Sequence, residues 1–314
     1  MPKTTKTKNK TALVTGGAGF IGSHLVDRLI AEGFTVAVVD DLTNGRREYL
    51  HPDAHFYKIS ITDPKLGIVF AAEKPETVFH LAAHIDARVS VEDPIHDAEV
   101  NVHGSLRVLK ECLKHGVKKI IFSSSGGAIY HDTKKFPTPE TEAPSPLTPY
   151  GVSKLAFEYY LETAAHHYGL SYVALRYANV YGPRQDQKGE GGVIGVFCKM
   201  LKDGKTPKIF GDGKQTRDFV YVGDVVDANM KAMRAKESGA YHIATGKETN
   251  VKNVAALIAK EYGWNGVFGR GPTPAGDVRR SCLKPHLAKK KLGWQARVKI
   301  QDGIKHTVAW FKTR

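Results

Sequence analysis

From residue 11 the chain alternates two kinds of stretch. Thr11–Thr15, Thr35–Val39 and residues 77–81, 119–123 and 171–175 are short runs dominated by apolar and β-branched side chains. Runs of this length and composition predict strands covered on both faces. Between them, residues 20–32 carry a helical stripe of Ile21, Leu25 and Leu29, and Gly33 marks its end. Residues 64–73, 95–115 and 150–168 have the same helical spacing. Strand–helix alternation predicts an α/β fold: a Rossmann-type doubly wound parallel sheet with right-handed crossovers.

Near residue 179 the rhythm breaks. Gly182-Pro183, Gly189, Gly191-Gly192, Gly204, Gly211 and Gly213 crowd the next stretch, which predicts a smaller, loop-rich C-terminal lobe. Residues 219–222 and 241–245 look like returning strands. A helix between them would take Asp224 as its N-cap. Helices are expected near 250–262 and 301–312. The expected division is a tail at 1–10, a nucleotide-binding domain at 11–178 plus 219–245, and a substrate lobe at 179–218 plus 246–314. Helix 150–168 carries Val152, Leu155, Phe157, Tyr159, Tyr160 and Leu161, too many apolar residues for one buried stripe. A second burial partner, the other lobe or another subunit, is expected.

Charge adds a complication. The chain of 314 residues has 46 basic and 32 acidic side chains, a net of +14. Such a balance raises nucleic acid as a partner. The excess, however, lies at the ends. Lys3, Lys6, Lys8 and Lys10 stand in a tail without acids, and residues 279–314 hold eleven basic residues against Asp302 alone. The stretch between is neutral, so nucleic-acid binding is not expected. Cys112, Cys198 and Cys282 are far apart and odd in number, which fits a reducing, cytoplasmic setting. No apolar run is long enough to cross a membrane.

The first strand runs into Thr15-Gly16-Gly17-Ala18-Gly19-Phe20-Ile21-Gly22 and then a helix. Glycines permit a tight turn and close approach of the backbone to a pyrophosphate, which the free N–H groups of the helix start attract. Asp40 ends the second strand, 18 residues after Gly22. A carboxylate there accepts from the ribose hydroxyls and repels a 2′-phosphate, so NAD is expected over NADP. Arg46 and Arg47 lie further along the loop.

Tyr150 and Lys154 are one helical turn apart and project to one face. Upstream, Ser123-Ser124-Ser125 follows a strand. A phenol is a poor base at neutral pH, but a nearby ammonium favours the phenolate, and a hydroxyl can hold the substrate oxygen.

Together TGGAGFIG, FSSSGGAIY, YGVSK and RYANVYGPRQ resemble the extended short-chain dehydrogenase/reductases. Within them, the chain is similar to the nucleotide-sugar 4-epimerases, from about residue 10 to the end. The resemblance implies epimerisation at C4 of a UDP-sugar, with tightly held NAD and a transient 4-keto sugar that turns before it is reduced. It implies Tyr150 as base, Lys154 as its electrostatic support and a ribose contact, and Ser125 as the bridge to substrate. Gly16, Gly19, Phe20, Ile21, Gly22, Asp40, Asn44, Ile61, Leu81, Ala82, Ala83, Asn101, Ser123 and Tyr177 would complete the NAD site. Arg88, Asn179, Val193, Arg217, Asp277, Arg280 and Ser281 would hold the UDP-sugar. A homodimer through the 95–115 and 150–168 helices is also implied.

Three positions depart from that pattern: Ser60 where an adenine-binding Asp is usual, Pro274 in place of an Arg, and His131 in place of a Gly. Arg279 and Arg280 are expected to make up for Pro274. A small Ser281 would leave room for N-acetyl sugars. Decarboxylases and 4,6-dehydratases of nucleotide sugars share these motifs but need a further acid beside the active-site hydroxyl. Here Gly126-Gly127-Ala128 follows Ser125. A UDP-glucuronate 4-epimerase stays open as an alternative. A non-enzymatic NAD sensor or RNA-associated protein is disfavoured by the intact Tyr150 and Lys154.

Overall fold

A computed structural model describes residues 10–131, 133–185, 192–273 and 278–314. Seven strands form one parallel sheet: β1 (Thr11–Thr15), β2 (Thr35–Val39), β3 (His55–Tyr57), β4 (Thr77–His80), β5 (Lys119–Ser125), β6 (Ser171–Tyr177) and β7 (Gly239–Ile243). Their order is β7-β6-β5-β4-β1-β2-β3, so the winding reverses beside β1. In such sheets the ligand crevice opens at the carboxyl ends of the strands at that switch point.

The alternating side chains of the strands feed two cores. On one face Val14, Val36 and Val38 pack with Leu25 and Leu29 of α1 (Phe20–Ala31). On the other, Leu13, Val78 and Ile120 pack with Phe70 of α2 (Leu66–Glu73) and Phe157. The helix stop at Gly33 is as expected: its φ is +83°.

The expected 95–115 helix is present and unbroken from Pro94 to Lys114, but its winding changes along the way. After α3 (Ala87–Glu92) come α4 (Pro94–Ala98), a π-helical turn over Glu99–Gly104, and α5 (Ser105–Lys114). Its start is local: Asp93 caps α4 through His96 N, and Pro94 begins it. Helix α6 (Pro149–Tyr168) starts at Thr148, whose hydroxyl accepts from Gly151 N, and ends at Gly169 in the left-handed region. Its Phe157, Leu161 and Ala164 are buried, whereas Val152, Tyr159 and Tyr160 are exposed.

Strand Phe219–Tyr221 does not join the main sheet; it pairs in parallel with Asn179–Tyr181. The following helix α7 (Val222–Arg234) corrects the expected cap. Tyr221 stands at the N-cap. The Asp224 carboxylate instead accepts from the backbone N–H groups of Arg297 and Val298. Packing of the C-terminal segment has overridden the local preference. That segment includes Leu292-Gly293-Trp294, where Trp294 is wholly buried and donates from Nε1 to the Asp224 carbonyl. A third core, with Phe197, Ile258 and Phe311, sits under helices Gly192–Lys202, Val251–Tyr262 and Ile300–Lys312. All three cysteines are free and buried. Among the described residues, no helix is long and apolar enough to cross a membrane.

Candidate active site

A single cleft of about 1240 Å³ runs along the carboxyl ends of β1, β2, β4, β5 and β6 and into the C-terminal lobe. This exceeds the ~300–1000 Å³ of a pocket for one drug-sized ligand. It has room for two extended ligands end to end.

One end is a phosphate cradle. Between β1 and α1 the chain turns at Gly16, whose φ is +72° and whose added Cβ would lie 2.7 Å from Ala82 N. A Cβ on Gly22 would stand 2.1 Å from the Gly16 carbonyl oxygen, so α1 can start this close to the loop only with glycine there. No side chain caps α1 and its first turn carries no acid. Gly16, Gly19, Phe20, Ile21 and Gly22 line the cleft at this helix start. The arrangement fits a pyrophosphate.

Asp40 lies at the end of β2. Its carboxylate accepts from Ala18 N at 3.0 Å and Leu42 N at 2.9 Å. Burial pushes its pKa up, and these two bonds pull it down. Two of its roughly four lone-pair directions remain for a ligand hydroxyl. Arg46 and Arg47 turn away: Arg46 lies over Tyr49 and pairs with Glu48, and Arg47 lies over Phe56. This end is therefore built for an unphosphorylated ribose. Asn44, Ser60, Ile61, Leu81, Ala82 and Ala83 line the same stretch.

Ser123, Ser125, Tyr150, Lys154 and Tyr177 meet in the middle of the cleft. Strand alternation separates the three serines. Ser124 turns its hydroxyl to Glu158, which also forms a buried bidentate pair with Arg176. Ser123 and Ser125 occupy the other face. Lys154 Nζ donates to the Ser123 carbonyl at 2.9 Å and lies 4.8 Å from the Phe122 ring and 5.7 Å from the Tyr150 ring. Burial pushes its pKa down to about 8, while Asp97 and Glu158 pull it up. Tyr177 accepts from Asn229 Nδ2, and burial pushes its phenol up.

His80 and His84 differ. Burial, with the Lys154 charge nearby, pushes His80 down to about 3, so it is neutral. The Ser105 hydroxyl donates to the Asn101 carbonyl, so it accepts from His80 Nε2; Nδ1 then accepts from Thr15. His84 lines the cleft wall. Its N–H donates to Asn101 Oδ1, and its carbonyl accepts from Asn101 Nδ2. Asn101 is thus buried behind the wall rather than on it.

Arg88, Asn179, Val193 and Arg217 line the cleft, the last three in its far half. Arg280 and Ser281 do not. They border a separate cavity of about 340 Å³ with Gly126, Tyr130 and His131. Arg279 pairs with Asp212, and Arg280 pairs with Glu248 while stacking on Phe136. Their charge is largely compensated by these acids. Asp277 and Pro274 lie outside the described residues, as do residues 1–9. Sequence reading missed the buried carboxylates Asp97 and Glu158; their only signal was helical spacing from Asn101 and Lys154.

The model of the NAD dependent epimerase/dehydratase family matches residues 12–244. The chain belongs to that family. It is 43% identical over 308 residues to a UDP-glucose 4-epimerase of Mycolicibacterium smegmatis, covering 96% of this chain and 98% of that one. A UDP-glucose 4-epimerase of Thermotoga maritima, solved with UDP-glucose, superposes with a TM-score of 0.95 at 48% identity, covering 96% of this chain and 99% of that one. The Thermus thermophilus UDP-glucose 4-epimerase, solved with NAD, gives a TM-score of 0.91 at 40% identity, over 96% and 99% of the two chains.

Proposed function

We propose that this enzyme interconverts UDP-glucose and UDP-galactose by inverting C4 through a transient 4-keto sugar. The observation that carries this reading is the meeting of Tyr150, Lys154 and Ser125 midway along a cleft that begins at a phosphate cradle. The chain segment after Ser125, Gly126-Gly127-Ala128, offers no carboxylate for chemistry at C5 or C6. The named relatives support the UDP-sugar assignment.

NAD, when bound, supplies a reversible two-electron acceptor. Gly16, Gly19 and Gly22 would hold its pyrophosphate and Asp40 its adenosine ribose. Tyr150 would take the proton of the 4′-hydroxyl and return it once the sugar has turned, so that no net oxidation results. Lys154 would hold the phenolate electrostatically, and Ser125 would orient the 4′-oxygen. Asn179 and Arg217 would grip the diphosphate within a lobe of residues 179–218 and 246–314. Residues 11–178 with 219–245 would form the NAD domain. Three free buried thiols fit a cytoplasmic setting.

Purified protein, without added NAD, is expected to convert UDP-galactose to a mixture with UDP-glucose by ¹H NMR; an unchanged spectrum refutes the proposal. In the same assay UDP-N-acetylgalactosamine should also turn over. That extension rests on the small side chain at position 281 in the sequence, although Ser281 borders a cavity separate from the cleft, and absence of turnover removes it.

A homodimer is part of the same reading. Val91, Ile95, Val152, Tyr159 and Tyr160 are exposed on α3, α4 and α6, which pack together. A second copy of this surface would bury them. Val152→Glu with Tyr159→Glu should weaken association by about 30-fold or more, the effect of losing an aromatic anchor. Light scattering after size exclusion should then report a monomer, and an unchanged dimer contradicts the assignment.

A further inference from the structure

Behind the cleft stands a side chain outside the cleft lining that joins its own helix to two neighbouring segments. Asp97, in α4, is 0% exposed. Its Oδ2 accepts from the Ser153 hydroxyl at 2.7 Å. Its Oδ1 accepts from Asn101 Nδ2 at 2.8 Å and lies 3.4 Å from His84 Nδ1. A buried carboxylate is costly unless its lone pairs are filled, and here it meets three donors, Asn101 one turn along its own helix and Ser153 and His84 from two other segments.

We propose that Asp97 is a positioning residue of the reaction site, tying the helix that carries Tyr150 and Lys154 to the loop wall at His84. Ser153 lies three residues after Tyr150 and one before Lys154, so the three share one face of α6. Fixing Ser153 sets the rotation of that face toward β5. Asn101 repeats the tie on the loop side by clamping both backbone groups of His84. It sits in the π-helical turn Glu99–Gly104, and such turns recur at functional sites. The remaining charged and titratable neighbours are few. Lys154 is faced by Asp97 from α4, Glu158 one turn along α6, neutral His80 of β4 and the Tyr150 ring. The His84 ring packs at 5.3 Å on that of His96.

The inference rests on the epimerase reading for its kinetic arm only. Asp97→Asn keeps the size and removes the charge and one acceptor. Its kcat should fall about 10- to 100-fold, the scale of a small misplacement of catalytic groups, with KM for UDP-galactose within about threefold. Independently of activity, ¹³Cε-lysine NMR, with Lys154 assigned by Lys154→Arg, should show the Lys154 midpoint falling by about one unit once the anion is gone. An unchanged midpoint together with unchanged kcat overturns the proposal. So does a parallel loss of kcat, KM and melting temperature, which marks Asp97 as a folding residue only. Should Asp97→Asn not fold, Ser153→Ala decides: kcat should drop with KM and the Lys154 midpoint kept, and wild-type kcat overturns the proposal. Inactive wild-type protein would count against the epimerase reading alone, leaving the lysine titration to judge Asp97.

Discussion

Tyr150→Phe is expected to lower epimerase turnover by about 10²- to 10⁴-fold, the span of a lost general base. The substitution removes one oxygen from a ring whose surroundings are otherwise kept. Its backbone N–H still reaches Ser90 Oγ, and Lys154 still reaches the Ser123 carbonyl. KM for the nucleotide sugar should therefore stay within about threefold, so that the loss lies in kcat. The pH profile of the wild type gives a second view. Lys154, held down to about 8, is an ammonium below that pH and neutral above it. Its charge is what favours the phenolate, so the rate should decline as pH rises past about 8. A Tyr150→Phe enzyme with wild-type turnover would contradict the assignment of the base.

Gly22→Ala is expected to strip the protein of retained NAD. The added Cβ would lie 2.1 Å from the Gly16 carbonyl oxygen and 2.9 Å from the Gly17 Cα, both backbone atoms that cannot swing aside. Helix α1 would have to back away from β1, and its first-turn N–H groups would leave the cradle. Overpacking of this kind costs about 1–3 kcal/mol, so the fold should survive with a lower melting temperature while the site does not. The check is nucleotide released by acid from purified protein and measured by chromatography. Wild-type protein should yield close to one NAD per chain and Gly22→Ala little. Equal yields would place the pyrophosphate elsewhere.

Much of this was readable in the chain because it depends on local rules. Thr11–Thr15 and Thr35–Val39 are short apolar runs that only a buried parallel strand accommodates, and Gly33 takes the positive φ that ends α1. The loop from Gly16 to Gly22 is legible because its glycine spacing sits between a strand and a helix; Gly19 and Gly22 answer to Gly16 within the loop, although Gly16 itself also abuts Ala82. What escaped depends on partners far away in sequence. Asp224 reads as a cap until Arg297 and Val298 arrive to use its carboxylate. Strand His55–Tyr57 is only three residues long, too short to show a period. Arg279 and Arg280 look free for a diphosphate in the sequence, but Asp212 and Glu248, from other segments, take them up. The basic C-terminal stretch is partly absorbed in the same way, since Lys291 pairs with Glu237. Asp97 carries no motif of its own; Asn101 is one turn along its helix, but Ser153 and His84 reach it only in the folded chain.

The central claim is that oxidation and reduction occur at one carbon of one sugar, with nothing lost to solvent. UDP-galactose deuterated at C4 tests this directly, incubated with purified protein in ordinary water and no added cofactor. The account predicts UDP-glucose that carries the deuterium at C4, with no net rise in absorbance at the wavelength of reduced NAD. UDP-glucose with protium at C4, accumulation of a keto sugar, or no conversion at all would contradict it.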